Sequence, residues 1–470
     1  MRAIRTGAAP DGCNGRVMVT VSQLADSVNG RVIAPDDPGY DEARAVFSGA
    51  IDRRPAMIVR VADATDVARV IALARDTGME LAVRGGGHSA AGHGVSDGGI
   101  VLDLCDMRRL RIDAERRTAW AGAGLTAGEY TVAAAAHGLG TGFGDAGSVG
   151  IGGITLSGGV GYLVRKHGLT IDQLLAAEIV TADGELRCVD AGTHPDLFWA
   201  IRGGGGNFGV VTRFEFRLHE VESFVGGVLI LPATPDVIAS FVAAAQAAPE
   251  ELSTIANVMP APPMPFVPEE HHGRLVVMGT LAYAGAVEDG ERAVAPFRAL
   301  AAPIVDMVGP MPYPQIYPPE EQGYRPLAVV RTMFADEVDR RFAETTLDGL
   351  RAATAPMAVT QLRVLGGAVA RVPADATAFA HRTRRIMVNV GAMYARPDDR
   401  PVQEAWVRGL SDRLAPAGDG AYVGFLADEG EDRVRAAYPG STWTRLAEVK
   451  ARYDPDNLFR LNQNVPPALR

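Results

Sequence analysis

Cysteine is nearly missing from this chain: Cys13, Cys105 and Cys188 are the three among 470 residues. An odd number at such wide spacing excludes a disulfide framework and a Cys/His metal site. It points to a reducing compartment, the cytoplasm. Cys105 and Cys188 lie in apolar runs and are expected in the core. Positive charge is also short, with 46 Lys and Arg against 56 Asp and Glu and a formal net charge of −10. That sign argues against a nucleic-acid surface. No apolar run approaches the roughly 20 residues of a membrane span. The first twenty residues carry basic groups but no continuous apolar core, so they read as a frayed start and not as a signal peptide. There is no internal repeat and no low-complexity tract.

What is abundant is glycine, 54 residues of it. The length asks for two domains. MIVRV, ELAVR and IVLDL (ending at Leu104) read as strands, with DATDVARVIALARDTG between the first two as a helix. Val67, Val70, Ile71 and Ala74 keep the helical spacing, Asp63 is its cap and Gly78 its stop. LRIDAERRTAWAGAG reads as two strands and TAGEYTVAAAAHGLG as a helix ending at Gly138. AEIVTADGELRCVDA reads as a hairpin around Asp183-Gly184, HPDLFWAIR as a short helix and VVTRFEFRL as a strand. From residue 222 to about 425 strands alternate with helices such as VIASFVAAAQAA, and proline stiffens PAPPMPFVPEE and GPMPYPQIYPPEE. The tail holds a helix broken at Asp454-Pro455.

Three glycine loops, 85–94, 147–161 and 203–209, adjoin strands. Residues 204–209 match G-x-G-x-x-G through Gly204, Gly206 and Gly209. The helix precedes this stretch and the strand follows it, the reverse of a dinucleotide fingerprint. Loops that expose backbone N–H groups can cradle phosphate. Several that converge would enclose a long anionic cofactor.

The loop VRGGGHSAAGHG resembles the flavin-attachment loop of berberine-bridge-enzyme-like oxidases, within the vanillyl-alcohol-oxidase flavoprotein superfamily. GITLSGGVGYLVRKHGLTIDQL, DLFWAIRGGGGNFGVVTRFEF and YDPDNLFRLNQNVPP resemble three further blocks of that family. The resemblance implies an α+β fold. It has a PCMH-type FAD-binding domain of two α/β subdomains (1–221) and a substrate domain with an antiparallel sheet covered by helices (222–425). A C-terminal segment (426–470) returns to the first domain. It implies FAD attached through His88 at the flavin 8α carbon, where neutral imidazole can act as nucleophile. Many members add a cysteinyl tether. Here that position holds Ala146, so a single link is expected. The implied cofactor contacts are Arg84, Gly85, Gly86, Gly87, His88, Ser89 and His93 in the first loop, and Asp145, Gly147, Ser148, Gly150, Gly153, Gly158, Gly159 and Gly161 in the second. Val180, Asn207 and Val210 follow, then Asn462 and Asn464 in the tail. His93 either contacts the cofactor or closes its loop.

Val149 matches a position over the flavin where a small branched side chain goes with oxygen access. AYVGFLAD resembles the family segment whose tyrosine is the base, which makes Tyr422 the catalytic candidate, although Gly424 stands where the family has asparagine. Tyr313 and Tyr317 either line the pocket or pack. His271 and His272 are given no role. The implied function is an FAD-dependent oxidase. It takes hydride from a small or medium organic substrate (secondary-metabolite, alcohol or amine type) to flavin N5, with O2 as acceptor and H2O2 as product. The rivals are a dehydrogenase with another acceptor and a non-catalytic flavin-binding protein.

Overall fold

The computed structural model describes residues 24–318, 323–415 and 420–469. The first twenty residues, Cys13 and the end of the second proline-rich loop lie outside the described residues. Residues 24 to 217 build two small sheets. The first has four strands in the order Arg31–Ile33, Met57–Arg60, Ile100–Asp103, Leu81–Arg84. The last three run parallel and the edge strand runs antiparallel. The expected helix is Ala64–Thr77. Asp63 caps it by accepting from the N–H groups of Thr65 and Asp66, and Gly78 ends it at φ 71°.

The second sheet is antiparallel, ordered Leu110–Asp113, Thr118–Gly122, Val210–Arg217, Leu174–Val180, Leu186–Asp190. Its last two strands are the hairpin around Asp183-Gly184, with Gly184 at φ 84°. Cys188 corrects one expectation. It lies on the solvent side of the edge strand Leu186–Asp190, whose inward residue is Val189. Strand alternation decides this, and an apolar run does not reveal it. Cys105 is also not fully buried.

The large sheet follows. Its seven main strands are ordered Val305–Asp306, Phe224–Pro232, Leu275–Ala284, Leu252–Pro260, Met357–Val364, Ile386–Met393, Ala328–Ala335. Gly309–Pro310 adds a short piece beside the second of these. All the pairings are antiparallel. One face packs on helices Pro235–Ala247, Val287–Arg298, Arg340–Arg351 and Arg400–Leu414 through Leu229, Phe241, Phe297, Leu347, Val388 and Leu410. The other face turns toward the first two sheets, where Phe334 and Met387 meet Val160, Phe379 and Tyr422. Among the described residues no helix is long and apolar enough to cross a membrane.

The tail closes the first core. Helix Ser441–Tyr453 places Leu446 and Val449 against the same cluster as Phe198, Phe208 and Val210, and Phe459 and Val465 join it. Lys450 fixes this return. Its ammonium is fully buried, 2.6 Å from Asp454, and it donates to the carbonyls of Asn207 (2.7 Å) and Phe459 (2.8 Å). Asp454 accepts in turn from the N–H groups of Leu458 and Phe459. Breaking such a pair leaves a buried charge unmatched. Lys450→Met should therefore cost about 3–5 kcal/mol, read as a shift of the urea midpoint. A variant within experimental error of the parent would show that the pair does not hold the tail.

Four imidazoles are also withdrawn from water, His381 buried and His93, His167 and His219 half-buried. His167 and His219 stack at 3.8 Å where the small sheets give way to the large one. Burial lowers His167 to about 3 and His93, His219 and His381 to about 4. The nearby Lys166 and Arg217 lower the stacked pair further. These groups are neutral in the folded chain and take up protons when it unfolds. Their stabilisation is complete above the ordinary value of 6.5 and drains as pH falls toward about 4. Thermal melts should show a falling midpoint over that interval, and His219→Gln should lose less than the parent. An identical pH dependence in the two would remove the stacked pair from the acid response.

Candidate active site

The loop 85–94 leaves the C-terminal end of strand Leu81–Arg84, and Arg84 is held there by a buried pair with Asp103 at 2.7 Å. Gly86 meets the second loop with no side chain between them. A Cβ on Gly86 would lie 2.3 Å from the Gly150 nitrogen, and a Cβ on Gly150 would lie 2.3 Å from the Gly86 nitrogen. Gly87 then turns at φ 72°, a left-handed conformation that favours glycine. This presents His88. Its Nε2 is 3.0 Å from the Ser148 hydroxyl, and its ring stacks on Phe47 at 4.2 Å. Arg53 holds the rest of the loop, donating to the carbonyls of Gly92 (2.8 Å) and Val95 (3.0 Å).

The loops open onto a cavity of ≈ 1720 Å³ that runs between the small sheets and the large one. On its wall stand Arg84, Gly85, Gly86, Gly87, His88, Ser89 and His93 from the first loop, and Asp145, Ser148, Gly150 and Gly153 from the second. Asn462 and Tyr422 join them. So do Ala146, whose methyl group offers no thiol, and Val149. His93 is half-buried, and its backbone N–H reaches Ser89 Oγ at 3.4 Å.

Gly147, Gly158, Gly159, Gly161, Val180, Asn207, Val210 and Asn464 are not on this wall. Gly147 gives its carbonyl to the Gly128 N–H. Gly161 packs so closely that a Cβ would lie 1.7 Å from the Phe143 oxygen. Val180 and Val210 face each other across two strands of the five-stranded sheet. Asn207 ties the tail, donating to the carbonyls of Gly204 and Gln463 and accepting from the Val465 N–H. The side-chain oxygens of Asn462 and Asn464 are buried without a protein partner. Tyr313 and Tyr317 pack with Phe224 and Tyr162 and do not reach the wall.

Tyr422 is 2 % exposed. Its hydroxyl accepts the Gly159 N–H at 3.0 Å, from a turn in which Gly158 (φ 121°) and Gly159 (φ 79°) both have positive φ. Burial pushes the phenol up to about 12, against the pull of that N–H. Phe425 meets its ring edge-on at 5.0 Å and Phe379 at 6.2 Å. Gly424 has a steric reason, since a Cβ there would lie 2.9 Å from the Tyr422 ring. Sequence reasoning missed Phe47, Arg53 and Arg363. Nothing around Phe47 announces a partner for His88. Arg363 left a faint signal, because Gln361 and Arg363 give strand Met357–Val364 a polar second face.

The whole arrangement suits a long cofactor with a flat ring at one end and anionic groups along its length. Glycine backbones line the cavity, orphaned amide oxygens stand at the tail, and a buried phenol lies on the wall. An FAD-binding-domain model matches residues 55–190, and a berberine and berberine-like model matches residues 421–466. An (R)-6-hydroxynicotine oxidase of Paenarthrobacter nicotinovorans is 32% identical over 94% of this chain and 97% of its own. An FAD-linked oxidoreductase of Bacillus subtilis is 30% identical over 94% and 98%. Among solved structures, 6-hydroxy-D-nicotine oxidase from Arthrobacter nicotinovorans superposes with a TM-score of 0.84 at 28% identity, over 94% of this chain and 98% of its own. Glucooligosaccharide oxidase from Acremonium strictum shares the fold, with a TM-score of 0.84 at 22% identity over 96% of this chain and 100% of its own. With the (R)-6-hydroxynicotine oxidase 32% identical and matched over almost its whole length, this chain belongs to the berberine-bridge-enzyme-like family of FAD-binding oxidoreductases.

Proposed function

We propose that the protein is an FAD-dependent oxidase. It takes hydride from a small organic substrate of amine, alcohol or secondary-metabolite type to flavin N5, and O2 accepts the electrons to give H2O2. The observation that carries this reading is that His88 and Tyr422 stand on one cavity wall. His88 holds the cofactor through one covalent bond, and Tyr422 takes a proton from the substrate. Val149 on the same wall favours oxygen access. The similarity to 6-hydroxynicotine oxidase favours an amine among the substrate types. The unpaired Cys105 and Cys188 support the cytoplasm as its compartment.

FAD, when bound, supplies the hydride acceptor. The protein orients, shields and moves a proton. Gly86 and Gly150 let the two loops close on each other, and Ser148 and Phe47 fix the His88 ring in plane and tilt. The buried wall excludes water from the reacting carbon. The Gly159 N–H holds the Tyr422 oxygen in place, so that one of its lone pairs can face the substrate hydroxyl or amine. The substrate C–H bond would break with its electron pair leaving as hydride, and the O–H or N–H proton would pass to the Tyr422 phenolate, giving the neutral phenol.

The tether is tested by denaturing the protein in acid. Flavin should stay with the precipitate, on a peptide that contains His88 and no cysteine. Complete release, or a cysteinyl adduct, would reject it. His88→Ala should still bind FAD through the loops, with a lower flavin potential, because the 8α substituent withdraws electrons.

Tyr422→Phe keeps the ring and removes the proton acceptor. Flavin reduction by substrate should slow by about 10²–10⁴-fold, while reoxidation by O2 should hardly change. The phenol is pushed up to about 12, so the wild-type reduction rate should climb with pH through the neutral range and that of Tyr422→Phe should not. Rapid mixing of both half-reactions reads this directly. Equal reduction rates in the two proteins would take Tyr422 out of the mechanism, and a reduced flavin indifferent to O2 would make the protein a dehydrogenase.

A further inference from the structure

The large sheet turns a polar row toward Tyr422. Asn257, Gln361 and Asn389 are direct neighbours across three strands. Gln361 donates to Asn257 Oδ1 at 2.9 Å, and its own oxygen accepts from both Asn389 Nδ2 (3.1 Å) and Arg363 Nε (2.8 Å). Two donors on one oxygen leave the guanidinium little freedom. Its far end meets Asp145 Oδ2 at 2.5 Å. The Arg363 side chain is 4 % exposed and that of Asp145 is 31 % exposed, with Asp145 on the cavity wall. The guanidinium lies 5.2 Å over the Phe425 ring, and Phe425 stands edge-on against Tyr422 at 5.0 Å. The ion pair is therefore one ring away from the hydroxyl, in a region that screens charge poorly.

We propose that the Arg363–Asp145 pair is a positioning element that sets how readily Tyr422 accepts a proton, with Arg363 favouring the phenolate and Asp145 opposing it. The inference rests on Tyr422 as the base. The other titratable groups around this hydroxyl are Tyr438, buried behind it, and His381, one ring further off against Phe379. Burial holds His381 at about 4 and raises Tyr438 above the ordinary phenol range, so both are neutral at working pH. A second buried pair, Arg382–Asp172 at 2.7 Å, lies on the other side of the phenol with its guanidinium 5.4 Å over the Phe379 ring, and changes at Arg363 or Asp145 leave it in place. On the Phe425 side the field in the phenol is a difference between two nearby opposite sources, Arg363 and Asp145. Removing either exposes the other.

The test places difluorotyrosine, a more acidic phenol, at position 422 of the flavin-loaded protein and follows its ionisation by fluorine NMR against pH. Asp145→Asn should lower the midpoint by about 1 pH unit and Arg363→Met should raise it by about as much, while Arg363→Lys should stay near the parent. A purely structural pair would not give opposite signs. Shifts in the same direction, or none, overturn the proposal. If Arg363→Met does not fold, Asp145→Asn decides alone, and a midpoint that stays or rises overturns it. This readout is independent of turnover. An unchanged reduction rate in Tyr422→Phe removes the base and leaves the titration intact, whereas a flat titration removes the pair and leaves the base.

Discussion

The contact between Gly86 and Gly150 is the constraint from which the site follows. Two backbones approach so closely that neither residue can carry a Cβ. Loops from different parts of the first domain can then share one wall, and His88 is brought within hydrogen-bond reach of Ser148. Side chains at that crossing would hold the loops apart and leave the imidazole pointing into a gap. Tyr422 is placed in a similar way. It sits where the positive-φ turn Gly158-Gly159 offers it an N–H and where Gly424 gives its ring room. His88 and Tyr422 are thus both located by residues that have no side chain.

The wall facing these loops is built on other terms. One face of the large sheet buries aliphatic residues against helices, and the other carries a hydrogen-bonded polar row. Buried polar groups demand partners, so this row fixes its own geometry, with Gln361 as the shared acceptor. The sheet is thus aliphatic on one face and polar on the other, and Arg363 is presented from a strand and not from a loop.

Much of this was legible in the sequence, for reasons that differ by region. Helix Ala64–Thr77 was readable because cap, stripe and stop agree over its whole length. The hairpin at Asp183-Gly184 was readable because its turn requires a positive φ. The loop around His88 was readable because it is one of three glycine loops and because VRGGGHSAAGHG resembles a family block, whereas a single such loop would read as a tight turn. Cys188 was misplaced because an apolar run does not say which side of an edge strand a residue takes. Asn207 and Val210 lie in a block that resembles the family, and what the block does not say is that Asn207 ties the tail and that Val210 pairs with Val180 across two strands. Arg363 was no more than faintly signalled, because its meaning depends on Asp145 and Phe425, which are far away in sequence and adjacent only once the sheet forms. Contacts between distant segments are what local pattern cannot encode.

The return of helix Ser441–Tyr453 and its stapled tail has a consequence for biogenesis. The core holding the glycine loops is finished by residues that leave the ribosome after the entire large sheet has been made. Until Lys450 reaches the carbonyl of Asn207, the third glycine loop lacks its fastening and the asparagines of the tail are elsewhere. Cofactor capture therefore belongs to the end of synthesis. A nascent chain that has only reached the large sheet has His88 and the first glycine loops but not the tail residues that complete their core.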